Sequence, residues 1–325
     1  MPELPEIETV KRQLDKQLTG KTVDRVEVLS AKNFQGDPGQ IKNAKIKNVR
    51  RRAKALIIDF DKSKSLVIHF KMTGQLVWEP NQRFARRPVR RSLDEGGSLD
   101  EGGLAHRSLC EGGATTSLPP SVLKSRIVGG HPTADWTHSL PSSHTRVIFH
   151  LKNDGTLYFN DQRKFGWIKL MSANQVETLD FISKLGPEPY DITAPDFYKL
   201  TQKSSRPIKL LIMDQQKISG VGNIYANDAL FLAGLDPRRK SKTLSLKEAQ
   251  KLHQTIIKVL NDGIKYGGAS AADAKYVDLE GLGGHYQDHF LVYQREGEKC
   301  PKCGSKILRI TQSGRSSYLC PHCQK

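Results

Sequence analysis

Cys300-Pro301-Lys302-Cys303 and Cys320-Pro321-His322-Cys323 close this 325-residue chain, separated by residues 304–319. Each pair reads as a tight turn that aims two thiolates at one point, so the two turns together enclose a tetrahedral Zn²⁺. Gly304 suits the knuckle after the first pair. Four thiolates leave no open coordination position, so the spacing predicts one structural zinc on Cys300, Cys303, Cys320 and Cys323. His322 is expected to be a bystander. The residues between the pairs, among them Lys306, Arg309, Thr311, Gln312, Ser313 and Arg315, form a basic, polar hairpin. Such a tip suits a groove or a row of phosphates, although a merely solvated hairpin reads the same way.

Working back from the cysteines, the chain is helical in pattern from about residue 174. Expected helices cover Val176–Leu185, Pro195–Thr201, Arg206–Met213, Tyr225–Ala233 and Ser245–Tyr266. In the last, Leu246, Ala249, Leu252, Ile256 and Val259 recur at helical spacing. A Gly-rich stretch runs from Gly267 to Gly284. Before residue 174 the pattern is that of strands, rich in Val and Ile and punctuated by turn residues. They are Thr22–Leu29, Ile46–Arg50, Ala55–Phe60, Leu66–Phe70, Thr145–Leu151, Thr156–Asn160 and Trp167–Met171. Lys152-Asn153-Asp154-Gly155 is a hairpin turn. An amphipathic helix leads, with Ile7, Val10, Leu14 and Leu18 on one stripe and Gly20 at its end.

The composition changes between residues 82 and 124. Ser92-Leu93-Asp94-Glu95-Gly96-Gly97 is repeated at once as Ser98-Leu99-Asp100-Glu101-Gly102-Gly103, with a degenerate copy from Ser108 to Gly113. Without an apolar period this segment, which holds the stray Cys110, is expected to be a disordered surface insertion. Its basic opening, Arg83 to Arg91, fits a solvated tail better than a DNA contact.

The balance of 51 Lys+Arg against 34 Asp+Glu gives a formal charge of +17. Such an excess favours a polyanionic partner, because basic side chains on phosphates release condensed counterions. No apolar run of about 18 residues exists, so no membrane span is expected. The N-terminus lacks a basic region and apolar signal core. These features, with cysteines paired as for metal in a reducing compartment, suggest a cytoplasmic protein, nucleoid-associated in a prokaryote.

The N-terminus carries chemistry of its own. Removal of Met1 before the small Pro2 is expected, and it exposes a secondary amine. An α-amino group titrates near 7.7–8.0, roughly, so it is partly neutral where a lysine is not. A neutral amine can attack a sugar C1′ and form an iminium, which splits base removal into easier steps. Glu3 stands beside it as a proton donor or acceptor. Taken alone, a proline at position 2 is ordinary.

The wider sequence resembles the formamidopyrimidine-DNA glycosylases, in order along the chain. Residues 1–10, Met-Pro-Glu-Leu-Pro-Glu-Ile-Glu-Thr-Val, look like the family's start. Arg51-Arg52-Ala53-Lys54 resembles its lysine motif and His69-Phe70-Lys71-Met72-Thr73-Gly74 its methionine loop. Asp161-Gln162-Arg163-Lys164-Phe165-Gly166 resembles its arginine–phenylalanine loop. Gly220-Val221-Gly222-Asn223-Ile224-Tyr225-Ala226 resembles the turn of its helix–two-turns–helix element. The likeness covers residues 1–80 and about 126–325.

The resemblance implies an α+β fold: an N-terminal β-sandwich with a leading helix (1–172, holding the insertion 82–124), a helix–two-turns–helix domain (173–290) and a zinc-finger β-hairpin (291–325). It implies a monomeric enzyme that excises oxidised purines from damaged double-stranded DNA and then cleaves the strand by β,δ-elimination. Pro2 would be the Schiff-base nucleophile and Glu3 the acid/base at the opened sugar. Lys54 would contact the phosphate beside the lesion and assist elimination. Met72, Arg163 and Phe165 would fill the space left by the extruded nucleotide, Arg163 also reading the orphaned cytosine. Asn223 and Arg315 would hold phosphates, His144 would contact DNA, and Glu6 and Lys209 would lie near the lesion pocket. In the Gly220–Asn223 turn, glycines would let backbone N–H groups approach phosphate, helped by the helix dipole.

Some positions depart from the family pattern. Gln162 and Lys164 replace Pro and Arg, Ser204-Ser205 replace a frequent basic position, and Ala269–Gly284 is atypical for a lesion-covering loop. The sister branch that excises oxidised pyrimidines typically has Gly where Leu4 stands, so Leu4 and Phe165 favour the purine branch. A catalytically inactive DNA-binding homologue and an RNA-associated zinc protein are the rival classes.

Overall fold

In the computed structural model the described residues are 2–81, 126–131, 133–269 and 284–325. The insertion expected at 82–124, Met1, and most of the Gly-rich stretch lie outside them. The leading helix α1, Leu4–Leu18, starts with a capping box. The Glu3 carboxylate faces the helix start, and Glu3 N–H donates to Glu6 Oε2 at 2.7 Å. Gly20, with φ +88°, turns the chain away after it.

Helix α1 is shared between two cores. Ile7, Val10, Leu14 and Leu18 pack into the sandwich, whereas Leu4 packs into the helical core with Val221, Tyr225 and Ile256. At about 2 kcal/mol per buried aliphatic side chain, this double anchoring fixes the N-terminal residues where the two domains meet.

The sandwich consists of two five-stranded sheets, β1-β8-β9-β6-β7 and β2-β10-β5-β4-β3. Its strands are β1 Val23–Val28, β2 Phe34–Gln35, β3 Ile46–Arg52, β4 Ala55–Phe60, β5 Lys64–His69, β6 Gly74–Pro80, β7 Ile127–Gly130, β8 Thr145–Leu151, β9 Gly155–Asp161 and β10 Trp167–Ser172. All ladders are antiparallel except β2 with β10. Strands β2, β6 and β7 were not expected. Five successive buried residues open β6, so it has no polar–apolar alternation to read.

The single helix expected at Val176–Leu185 is broken. A 3₁₀ turn covers Ala173–Gln175 and a short helix, α2, covers Asp180–Ser183, because Leu179 is extended at ψ 125°. The break lets Val176 and Ile182 both cover Ala55, Ile57 and Val67 on the outer face of the second sheet. The remaining helices are α3 Ala194–Gln202, α4 Ile208–Ile212, α5 Asn223–Ala233 and α6 Leu246–Lys265. Helix α4 starts two residues later than expected, since Pro207 holds Arg206 out of helical geometry. Ser245 caps α6 through a capping box with Glu248. The chain closes with the hairpin β11 Leu308–Gln312 and β12 Arg315–Leu319, turning on Ser313 and Gly314 at positive φ.

Candidate active site and nucleic-acid interface

The capping of α1 brings a carboxylate into the junction. Glu3 is 3 % exposed; its Oε1 accepts the Ile224 N–H of α5 at 2.9 Å, while Oε2 is buried with no hydrogen-bond partner among the described residues. Leu4 N–H donates to the Gly220 carbonyl at 3.1 Å. The glycines of the α5 turn therefore serve the protein's own N-terminus. A Cβ on Gly222 would lie 2.2 Å from Glu3 Cδ, and one on Gly220 2.6 Å from Leu4 Cδ1. The helix dipole of α5 faces a carboxylate of the chain itself.

Lys54 enters from the sandwich, on the two-residue turn between β3 and β4. It is buried, and its Nζ donates to the Val221 carbonyl at 2.9 Å. The turn is unusual: Ala53 has φ +50°. Glu188, between Pro187 and Pro189, holds it by accepting Ala53 N–H at 2.7 Å and Arg51 Nη1 at 2.7 Å. Arg51 also reaches Glu8 on α1 at 3.0 Å. A lysine on one domain is thus aimed by groups of the other.

Burial dominates the electrostatics. It raises the Glu3 pKa against the pull of Lys54 and lowers that of Lys54 against the pull of Glu3 and Glu6, with Arg315 adding to the lowering. Both groups move toward their neutral forms, which eases proton transfer at this point. Glu6 is fully engaged: besides Glu3 N–H it accepts the Tyr225 hydroxyl at 2.7 Å and Ala269 N–H at 2.8 Å. Pro2 is buried at the same junction. Asn223 is the first residue of α5, and its carbonyl accepts Asn227 Nδ2 at 2.6 Å.

Arg315 is exposed at the start of β12 and lines an open cavity of about 410 Å³ with Arg206, Met213 and Gln215. Lys209 is buried. Its Nζ donates to the Ser316 carbonyl at 2.7 Å, Ser317 Oγ at 2.8 Å and Asn227 Oδ1 at 3.3 Å. It fastens β12 to α5, and burial brings its pKa down to about 7. Asp228 does the same for the approach to the zinc module, accepting Val292 N–H at 3.0 Å and Leu291 and Tyr293 N–H at 3.3 Å.

A second cluster is exposed and apolar. Met72 is 45 % and Phe165 49 % exposed, and the Arg163 guanidinium lies 5.0 Å from the Phe165 ring centroid. Their loops are tied by buried Asp161, which accepts Thr73 Oγ1 at 2.5 Å, Arg163 N–H at 3.2 Å and Gly166 N–H at 2.6 Å. Lys71 and Lys164 take positive φ at the bends. His144, next to the start of β8, shares this rim: its carbonyl accepts Asp161 N–H at 2.9 Å. Glu188, Tyr225, Asp161, Thr73 and Asp228 were not anticipated. For Glu188 the flanking prolines were an available signal of a rigid acidic hinge.

The four cysteine sulfurs lie within 4.8 Å of one another, with Cys300–Cys323 at 3.9 Å and Cys303–Cys320 at 3.5 Å. A tetrahedral Zn²⁺ with Zn–S of ~2.3 Å places sulfurs ~3.8 Å apart, so the donor set fits one structural zinc. Among the described residues no helix is long and apolar enough to cross a membrane.

Comparison with known proteins gives matches along the whole chain. Residues 1–168 match the formamidopyrimidine-DNA glycosylase N-terminal domain, 185–275 its H2TH domain, and 297–325 the zinc finger found in FPG and IleRS. The formamidopyrimidine-DNA glycosylase of Desulforamulus reducens is 35 % identical, over 100 % of this chain and 99 % of its own. That of Pelotomaculum thermopropionicum is 34 % identical over the same shares. The crystal structure of Lactococcus lactis Fpg with abasic-site DNA is 27 % identical, with a TM-score of 0.76 and full coverage of both chains.

Proposed function

The chain belongs to the formamidopyrimidine-DNA glycosylase family and is a base-excision-repair DNA glycosylase with a structural zinc finger; from that premise we propose that Pro2 is its nucleophile and that strand cleavage follows base removal. The uncharged Pro2 nitrogen attacks C1′ of the damaged nucleotide and the base departs, taking up the proton that the nitrogen loses; the resulting aminal becomes an iminium joining protein to sugar as the C1′–O4′ bond breaks. Glu3, with its raised pKa, protonates the ring oxygen as the sugar opens. The iminium acidifies the 2′ proton, and β- then δ-elimination release both phosphates. Lys54, Asn223 and Arg315 hold the phosphates around the extruded nucleotide, and Met72, Arg163 and Phe165 occupy its place in the stack. His144 contacts the backbone. Glu6 positions Glu3 beneath the lesion pocket, and Lys209 keeps the hairpin and Arg315 in register.

The observation that carries this reading is the burial of Glu3 beside Lys54 at the end of a helix anchored in both domains. The preferred substrates are 8-oxoguanine opposite cytosine and formamidopyrimidines. Structures of Lactococcus lactis Fpg with Fapy-dG DNA and with oxidised-pyrimidine DNA make a purine–pyrimidine lesion panel the natural comparison. The domain limits 1–172, 173–290 and 291–325, a monomeric state and a place in the prokaryotic nucleoid complete the proposal, the last supported by the charge of +17.

Borohydride in the presence of an 8-oxoguanine duplex should trap a covalent protein–DNA adduct, and blocking the N-terminal nitrogen should abolish it. Retention of the adduct by protein whose initiator methionine is shown by mass spectrometry to be still present would refute the role of Pro2.

A further inference from the structure

We propose that Asp135 is a positioning residue for His144, and that the pair works as one phosphate-gripping unit on the DNA-facing rim. The inference rests on the reading of His144 as a DNA contact and adds the residue that makes this contact possible. Asp135 Oδ2 lies 3.0 Å from His144 Nδ1. An ionised carboxylate only accepts hydrogen bonds, so Nδ1 carries a proton and Nε2 is left for a ligand. The Asp135 side chain is 8 % exposed and that of His144 32 %, which suits an orienting group behind a contacting one.

Asp135 is itself held rigidly. It lies in the 3₁₀ turn Ala134–Trp136, capped by Thr133. Thr133 Oγ1 accepts Asp135 N–H and donates to its Oδ2, both at 3.2 Å. Gln75 Nε2 donates to Thr133 Oγ1 at 2.8 Å. Asn160 Nδ2 reaches Gln75 Oε1 at 3.5 Å, and Thr145 Oγ1 donates to Asn160 Oδ1 at 2.9 Å. The chain of bonds crosses β6, β9 and β8 and returns to the residue beside His144. Trp136 packs with Val77 and Val128, and buried Arg126 donates to the Trp136 and His138 carbonyls. Two charged residues on the strands beside His144 are engaged elsewhere: Arg146 donates to the Asp161 and Ser143 carbonyls, and the Asp161 carboxylate holds Thr73, Arg163 and Gly166.

To grip a phosphate, Nε2 must also donate. The bound ring is then an imidazolium between two anions, with Asp135 supplying the inner counter-charge. This reverses the ordinary expectation for an acidic residue near DNA, whose removal should tighten binding.

The test measures affinity of the full chain for a duplex bearing a non-cleavable abasic analogue, over a range of salt. His144→Ala should weaken binding roughly tenfold and reduce the slope of log affinity against log salt by about one. Asp135→Asn should do the same, and the double variant should be no worse than either single one. Unchanged or tighter binding by Asp135→Asn overturns the proposal, as do losses that multiply in the double variant. If His144→Ala binds normally, the DNA-contact reading fails with it; if only Asp135→Asn binds normally, that reading survives alone. Ring ¹⁵N spectra of the unaltered protein give an answer independent of any variant's folding: a protonated Nδ1 at His144 is expected, and a bare Nδ1 overturns the proposal.

Discussion

Two regions of this molecule break the rule that charge stays outside and apolar surface inside, and they break it in opposite directions. At the domain junction Glu3 and Lys54 are buried. On the sandwich rim Met72 and Phe165 stand about half exposed. The junction keeps its ionisable groups buried because both domains hold them, through α1, Glu188 and the Val221 carbonyl. The rim keeps its apolar side chains out because Asp161 fixes the loops from below. Each departure costs stability or solubility and suits one chemical task. On the proposed reading the junction moves protons and the rim replaces a stacked base.

If that contrast is right, substitutions in the two regions should separate stability from activity in different ways. The largest effect is expected at the junction. Glu3→Gln should lower single-turnover strand cleavage by about 10³-fold, the middle of the range for a general acid–base group. Its effect on stability should have the opposite sign. The folded-state pKa of Glu3 lies above its unfolded value, so the folded protein binds that proton more tightly. The stability Glu3 contributes is fully present below the unfolded pKa and is lost as pH rises through the raised one. The melting temperature of Glu3→Gln relative to the unaltered protein should therefore climb from mildly acidic to neutral pH. A constant or falling difference would mean that burial does not control this carboxylate.

The next effect tests what holds the junction together. Glu188→Ala leaves Arg51 with Glu8 and the Ala53 carbonyl and removes the acceptor for Ala53 N–H in a left-handed turn. Breaking a buried, hydrogen-bonded ion pair costs about 3 kcal/mol, so denaturant unfolding should show a loss of that order, with reduced cleavage as Lys54 loses its aim. A loss below ~1 kcal/mol would place the pair among surface ion pairs of little consequence.

The sequence revealed these two regions unequally. Cysteine spacing reveals the zinc module because two turns and a tetrahedral ion fix the geometry locally. Helix α6 is legible because its cap and its apolar stripe are both local. Strand β6 is hidden because burial on both faces erases its period, and the Val176–Leu185 stretch misleads because its apolar spacing is met by turns and the short helix α2 instead of one continuous helix. The motif residues Pro2, Glu3, Lys54, Met72, Arg163 and Phe165 were singled out through the ordered resemblance, not through propensity. Glu188 was missed because its partners Arg51 and Ala53 are remote in sequence; Asp161 and Tyr225 stand inside the resemblance motifs, but their bonds to the remote Thr73 and Glu6 leave no local mark. Gly222 was assigned to phosphate approach; that its missing Cβ also makes room for Glu3 was not legible, since only the fold brings residues 3 and 222 together.

The smallest effect belongs to the rim, and it is the sharpest test of the contrast. Phe165 is 49 % exposed, and its loop is held by Asp161, Thr73 and Asn33, whose Nδ2 donates to the Gly166 carbonyl at 2.7 Å. None of these bonds involves the phenyl ring. Phe165→Ala should therefore change unfolding free energy by no more than about 0.5 kcal/mol, as for surface positions generally. On the proposed reading the ring matters once DNA is bound and a base has left the stack. Unstacking costs a few kcal/mol, and losing part of its replacement should slow excision from a paired 8-oxoguanine duplex by roughly tenfold. Excision from single-stranded substrate, where little stacking remains to be replaced, should be much less affected. A variant that slows both substrates equally, or melts several degrees lower, would show the ring to be part of the scaffold and remove the distinction between rim and junction.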